Sequence, residues 1–414
     1  MGRPAPRPLL SVNILYLCHR IPFPPDKGDK IRSYHQIDYL ARRHRLHVVT
    51  FVDSAEDERH VPALRERCAS LAVAKRGRVR TLTGALLALL TGEPFSVRCF
   101  RSGSLRGAVD RLMRKERFDV ILVFSSAMAQ YAAEWKDVRR LVDFVDVDSE
   151  KWRAYADLTR GPMAKVYRLE ANRLGRYDLA IASAFDRSIF VSQAEADLFR
   201  RLGAEGPIDV IPMGVDLDYF RPTGHPPREE SQPEIVFVGM MSYFPNIDAV
   251  SYFAREIFPL IREHVPEARF TIVGRSPSAR VRALAGAGVR VTGAVDDVRP
   301  FLAAASVAVA PFRISRGMQS KVLEAMASGL PIVGSRLAFQ GIPAGEEDGV
   351  EAADAPEGFA EAVARLLRDP ALRCLRGESA RRYVERHHRW EDRGATLEAL
   401  LLDAGNPRKE ANFV

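Results

Sequence analysis

Short, nearly continuous apolar runs rich in β-branched residues recur along this chain, separated by stretches with helical periodicity. That alternation limits the folds open to it more than any other feature. In the first half the runs are 12–18, 46–52, 118–124, 141–145, 188–191 and 209–212. In the second half they are 234–240, 269–274, 289–293, 306–311 and 330–335. Strands alternating with helices predict parallel sheets with helices on both faces. Runs that lack polar alternation predict strands buried on both faces. The class is therefore α/β, and 414 residues suit two domains better than one.

The segment 214–233, GVDLDYFRPTGHPPREESQP, is rich in proline, glycine and charge and reads as the linker. It divides the chain into residues 1–215 and 216–414. Ligands of open α/β sheets bind beyond the carboxyl ends of the strands, so two such domains facing each other would form a cleft. Neither half carries G-x-G-x-x-G after a strand or a G-x-x-x-x-G-K-[ST] loop, which argues against nicotinamide enzymes and P-loop NTPases. Cys18, Cys68, Cys99 and Cys374 are far apart, so neither a zinc site nor a disulfide framework is expected, and a reducing compartment fits. The amino terminus lacks the long apolar region and cleavage site of a signal peptide. No apolar run approaches the ~20 residues of a spanning helix. A cytoplasmic protein is expected.

The net charge is +8. The basic residues are scattered, without a basic block interleaved with aromatics, so nucleic acid is not an expected partner. A phosphorylated small molecule or an anionic membrane surface accounts for the charge as well.

The densest motif is RGMQSKVLEAMASGLPIV, residues 316–333. A glycine-containing loop leads into a helix carrying Lys321 and Glu324 near its start. Gly329 stops the helix and Pro331 opens the next strand. Free N–H groups at a helix start suit a diphosphate, and Lys321 adds a full charge. Glu324, about one turn in, can accept hydrogen bonds from two ribose hydroxyls.

This stretch resembles the donor-site motif of the family-4 retaining glycosyltransferases, E-A-[ML]-A-x-G-x-P-[IV]-V. Other segments are similar to that family in the same order: PFPPDKGDKIRSYHQIDYLA (22–41), FVSQAEADLF (190–199), VIPMGVDLDYFRP (210–222), EIVFVGMMSYFPNIDAVSYFAREIFPLI (234–261) and ARFTIVG (268–274). VDFVDVDSEKWRAYA (142–156) is similar to the sugar transferases found with exosortase (PEP-CTERM) exopolysaccharide systems. The resemblance runs from about residue 12 to about residue 402.

It implies a GT-B fold: two facing Rossmann-like domains with parallel sheets and an interdomain cleft. The last helix, about 385–403, would pack back on the first domain. It also implies retaining transfer from a nucleotide-diphosphate sugar to a lipid-linked or oligosaccharide acceptor, in exopolysaccharide or cell-surface glycan synthesis. No essential metal or other cofactor is implied. A nucleotide-sugar epimerase and a non-catalytic nucleotide-sugar-binding module are the alternatives. Carried over onto this sequence, the catalytic candidates are Lys321, Arg316 and Asp146. Donor-binding candidates are Glu324, Gly317, Met318, Gln319, Ser320, Gly239, Gly274 and Arg313. Acceptor-binding candidates are Gly28, Asp29, Arg32 and Asp148, with Lys27 and Lys30 as cations for an acceptor phosphate.

The chain departs from the family in two places. The first glutamate of the motif, eight residues before Glu324, is Arg316 here. The arginine and lysine that grip the diphosphate after the first donor-domain strand are also missing, where residues 239–248 read GMMSYFPNID. Lys321, Arg316 or Arg313 is expected to supply the missing charge. Two further features stay open. Asp146-Val147-Asp148 is a D-x-D that reads as an acceptor contact, as a metal pair, or as helix-start chemistry in which Asp148 or Ser149 caps. Residues 78–98 join basic flanks to Leu82, Leu86, Leu87, Leu89 and Leu90. They read as a buried helix or as an interfacial one, with Arg76, Arg78, Arg80 and Arg98 toward anionic lipid at the inner face of the plasma membrane.

Overall fold

A computed structural model describes residues 11–25, 28–76, 88, 91–222 and 233–403, the side chain of Asp29 excepted. Contacts divide the chain into two units, Met1–Ile211 with Glu391–Val414, and Pro212–Trp390.

Among the described residues the first unit holds a seven-stranded parallel sheet. Its strands are β1 (Asn13–Cys18), β2 (Arg45–Val52), β3 (Ser70–Lys75), β4 (Val120–Phe124), β5 (Arg139–Val145), β6 (Arg187–Phe190) and β7 (Ile208–Val210). Their order is β3-β2-β1-β4-β5-β6-β7. The apolar runs are continuous because both faces are covered. Ile14, Tyr16 and Cys18 pack with Val48, Leu122 and Leu141 on one face. Leu15 and Leu17 pack with Val49, Ile121 and Val142 on the other. The helix Trp390–Leu402 returns to this unit. Its Leu397 and Leu401 join the core, and Glu398 accepts from Tyr39 Oη at 2.9 Å and meets His44 Nε2 at 2.9 Å.

The second unit holds a six-stranded parallel sheet, ordered β10-β9-β8-β11-β12-β13. The strands are β8 (Glu234–Val238), β9 (Arg269–Val273), β10 (Val289–Val291), β11 (Val307–Ala310), β12 (Ile332–Gly334) and β13 (Val350–Ala352). Both orders are those of a doubly wound, Rossmann-like sheet. Two edge strands, β3 and β13, were not among the expected runs. SLAVAK is largely half-exposed and β13 has three residues, so neither carries the apolar signal of a central strand.

Helix ends follow local chemistry. Asp369 caps the helix Pro370–His387 by accepting from Leu372 N at 2.9 Å, with proline at the first position. Gly329, at φ 76, ends the helix Ser320–Ala327 as expected, and Leu330 N bonds Ala325 O at 3.1 Å. Among the described residues no helix is long and apolar enough to cross a membrane.

Candidate functional site

In the second unit the strand order reverses between β8 and β11, and the carboxyl ends of such a pair flank the ligand crevice of open α/β sheets. Three loops meet at this edge. Gly239 follows β8, Gly274 follows β9, and residues 311–319 lead from β11 into the helix Ser320–Ala327. Gly239 N donates to Val273 O at 3.0 Å. A Cβ on Gly274 would lie 1.7 Å from the Gly239 carbonyl oxygen. A Cβ on Gly239 would lie 2.8 Å from Asn246 Nδ2 and 3.3 Å from Lys321 Cε. Gly274 is there because backbone approaches backbone, and Gly239 because the Asn246 and Lys321 side chains pack against it.

Lys321 is gathered into this edge. Its Nζ donates to Gln319 Oε1 at 3.0 Å and to Asn246 Oδ1 at 3.2 Å. It lies 4.8 Å from the ring centre of Phe312 and 5.8 Å from that of Phe237. Burial pushes the ammonium down to about 8, against the pull of the Glu324 carboxylate one turn along the helix. Burial likewise raises the Glu324 carboxyl, while Lys321 and a hydrogen bond from Ser320 draw it back.

The loop before the helix is closed on itself. Gly317 takes φ 63, Met318 is buried, and Gln319 Nε2 donates to Ser315 Oγ at 2.9 Å and to Arg316 O at 3.2 Å. No side chain caps the helix start; Val322 N bonds Gln319 O at 3.0 Å, and the N–H groups of Ser320 and Lys321 are the ones suited to an anion. Glu324, Lys321, Gln319, Ser320 and Gly317 thus come together at the β8/β11 edge. Arg316 is half-buried in the same loop. Arg313 is different: Nη2 and Nε grip Asp248 at 2.7 and 3.0 Å, and the guanidinium stacks 4.5 Å from the Tyr252 ring centre. Its charge is already matched, so it is no spare replacement for the family's missing cations.

The first unit corrects several expectations. Gly28 opens the helix Gly28–Ala41 and is exposed. Lys27 and the side chain of Asp29 lie outside the described residues. Arg32 does not face an acceptor. It is 1% exposed, donates from Nε to Asp143 Oδ2 at 2.8 Å and from Nη1 to Ile211 O at 2.9 Å. Gln36 Nε2 donates to the same Asp143 oxygen at 2.7 Å, and Tyr16 Oη donates to Gln36 Oε1 at 2.6 Å. Lys30 is likewise buried, on Asp57 Oδ1 at 2.9 Å and Phe23 O at 3.2 Å. Two cations assigned to an acceptor are spent on the fold, because burying a charge demands a partner.

Asp148 opens the helix Asp148–Leu158, but the capping position is Val147 and no side chain caps it. The capping reading of Asp148 or Ser149 is therefore corrected. Asp148 Oδ1 accepts from Lys151 Nζ at 3.2 Å instead. Asp146 sits beyond the end of β5, just after Val145 at φ 71. Burial, with the nearby Glu195 and Asp148 carboxylates, pushes its carboxyl up to about 7, while Lys151 and Arg32 pull it down. Sequence reasoning missed Glu195. It is fully buried, and its Oε2 accepts from Val147 N at 2.8 Å. Its spacing from Ser192 resembles a capping box. Ser192 does cap, at 3.3 Å to Glu195 N, yet the glutamate carboxylate turns to the Asp146 loop.

Of residues 78–98, only 88 and 91–98 are described. The five leucines expected at an interface, with Arg78 and Arg80, lie outside them. Arg76 is paired with Asp53 at 2.8 Å and Arg98 with Glu93 at 2.6 Å, so these two are not free for lipid.

A model of glycosyltransferase family 4 matches residues 31–219, and a model of the group 1 glycosyl transferases matches residues 232–369. No curated protein matches the sequence. Among solved structures, sucrose-phosphate synthase from Thermosynechococcus elongatus is similar at TM-score 0.69 and 17% identity, over 94% of this chain and 98% of that one. HepE from Anabaena, in complex with UDP and glucose, is similar at TM-score 0.69 and 13% identity, over 95% and 100%. TarM is similar at TM-score 0.68 and 10% identity, over 96% and 100%. At such identities the likeness carries the fold, two parallel Rossmann-like sheets of the GT-B type.

Proposed function

We propose that this chain, which matches a model of glycosyltransferase family 4 over residues 31–219 and a model of the group 1 glycosyl transferases over residues 232–369, moves a sugar, with retention, from a nucleotide-diphosphate sugar to a lipid-linked or oligosaccharide acceptor. The pathway we assign is exopolysaccharide or cell-surface glycan assembly. One observation carries the donor assignment. An ammonium held by two neutral amide oxygens and a carboxylate one turn away share an uncapped helix start at the β8/β11 edge. The complexes of HepE with UDP and with UDP-glucose support a nucleotide-sugar donor.

In this reading Glu324 accepts from the ribose hydroxyls, and the helix start with Ser320, Gln319 and Gly317 cradles the diphosphate. Lys321 and Arg316 offset the charge that grows on the diphosphate as its bond to the anomeric carbon breaks. Asp146 meets the acceptor or the reacting sugar, with Asp148 and the Gly28 loop on the acceptor side. No metal is needed, because the cations are side chains of the donor unit while the D-x-D belongs to the other unit. Activity is expected to persist in excess EDTA. Loss in EDTA, restored by Mg²⁺ or Mn²⁺, would make Asp146 and Asp148 metal ligands.

A panel of UDP-, GDP- and ADP-sugars tests the reaction itself. Nucleoside diphosphate release is expected to require a glycan or lipid-linked acceptor, and NMR of the product should show the donor's anomeric configuration preserved. Inversion would contradict retention. Donor consumption without any acceptor would favour an epimerase, and binding without turnover a non-catalytic module.

A further inference from the structure

The helix Phe244–Tyr252, which follows β8, presents two side chains to two different cations. Asp248 takes Arg313 in a bidentate ion pair and cancels its charge. Asn246, two residues earlier, takes Lys321 through a neutral amide oxygen at 3.2 Å. The two contacts differ in what they leave behind. A carboxylate on an ammonium neutralises it, whereas an amide fixes its position and leaves the full charge for an incoming anion.

Asn246 is also fully committed. It is 3% exposed, and its Nδ2 donates to Met240 O at 2.9 Å, which fastens the loop after β8. Its amide therefore ties together two chain segments that no sequence motif connects: residues 239–243 and the start of the helix Ser320–Ala327. Gly239 leaves the room for this, since a Cβ there would lie within 2.8 Å of Asn246 Nδ2. The second holder of Lys321, Gln319, belongs to the β11 loop. The ammonium is thus held from both sides of the switch point, over Phe237 at the end of β8 and Phe312 after β11.

We infer that Asn246 is a positioning residue of the donor site, holding the Lys321 ammonium, still charged, where β8 and β11 present it to a diphosphate. This rests on the donor reading above. It also accounts for a chain that lacks the family's arginine and lysine after the first donor-domain strand. Here the helix after β8 brings no cation of its own to that place and instead holds one that arrives from the β11 side.

A thermodynamic cycle tests the inference. UDP, GDP and ADP are titrated calorimetrically into wild type, Asn246→Ala, Lys321→Ala and the double variant, with urea unfolding to establish that each is folded. Asn246→Ala is expected to weaken the nucleoside diphosphate that binds by about tenfold, and by less than about twofold when Lys321 is already alanine. Equal losses in both backgrounds would overturn the inference, because a merely structural amide does not need the lysine. Unchanged affinity in Asn246→Ala would overturn it too. Failure of wild type to bind any of the three would overturn the donor reading and this inference with it. If alanine unfolds the protein, Asn246→Ser, which keeps a polar group in the buried position, runs the same cycle.

Discussion

Lys321→Ala is expected to lower kcat/KM by about 10²–10³-fold while the protein stays folded, the usual cost of removing one preorganised group that faces developing negative charge. The ammonium rests on two amide oxygens and two aromatic faces rather than in an ion pair, so its loss breaks no salt bridge among the described residues. Its titration gives a second readout. Burial holds it down to about 8 in the free protein, and only the protonated form attracts a diphosphate. On the alkaline side kcat/KM is therefore expected to fall through about pH 8, since that ratio reports the free enzyme's groups. Lys321→Arg should keep its charge and lose that alkaline limb, at a lower rate, because a guanidinium fork does not fit a site shaped for a point charge. Stability has the opposite sign. An unfolded lysine keeps its proton to about 10.4, so between about 8 and that value the unfolded chain binds more protons, and folding stability rises with pH. A kcat/KM profile flat through pH 10 in wild type would contradict the role.

The second large effect falls on stability. Arg32→Met is expected to cost about 3–5 kcal/mol, the scale for breaking a buried ion pair from one side. Asp143 is fully buried and would be left with only Gln36 Nε2 and Val145 N as donors among those described. Ile211 O would lose the guanidinium bond that ties the end of the first unit to this network. Arg32→Met/Asp143→Asn removes the stranded charge and keeps an acceptor for Gln36, so part of the loss should return. Urea unfolding measures both. A wild-type midpoint in Arg32→Met, together with a raised acceptor KM, would return Arg32 to the acceptor site.

What the sequence hid was pairing across distance. Arg32 and Lys30 follow a glycine loop at the carboxyl end of the first strand, where loop cations are expected to meet ligand. Their carboxylates lie 111 and 27 positions away, and only the folded sheet brings Asp143 and Asp57 to them. Glu195 is 48 positions from Val147, and its local signal points to capping rather than to the Asp146 loop. Asn246 follows a proline in the stretch that lacks the family's cations, and nothing local marks it as the partner of a lysine 75 residues on. The donor motif was legible because its chemistry is contiguous. The loop, the helix start, Lys321, Glu324, the Gly329 stop and Pro331 occupy one run of the chain, and each does locally what its residue type favours. The parallel strands were legible because both faces are buried. The edge strands β3 and β13 were not, since SLAVAK is largely half-exposed and β13 has only three residues.

Calorimetric titration of a nucleoside diphosphate into wild type and Glu324→Gln bears most directly on the donor assignment. The substitution keeps size and shape but gives up charge-assisted hydrogen bonds to the ribose, each worth roughly 1.5–3 kcal/mol. Glu324 is half-buried one turn into the helix that carries Lys321, so amide for carboxyl should leave the unfolding transition unchanged. The expected result is binding by wild type and affinity at least about tenfold weaker in the variant. A folded Glu324→Gln that binds UDP, GDP or ADP as tightly as wild type would contradict the assignment of this helix to the donor.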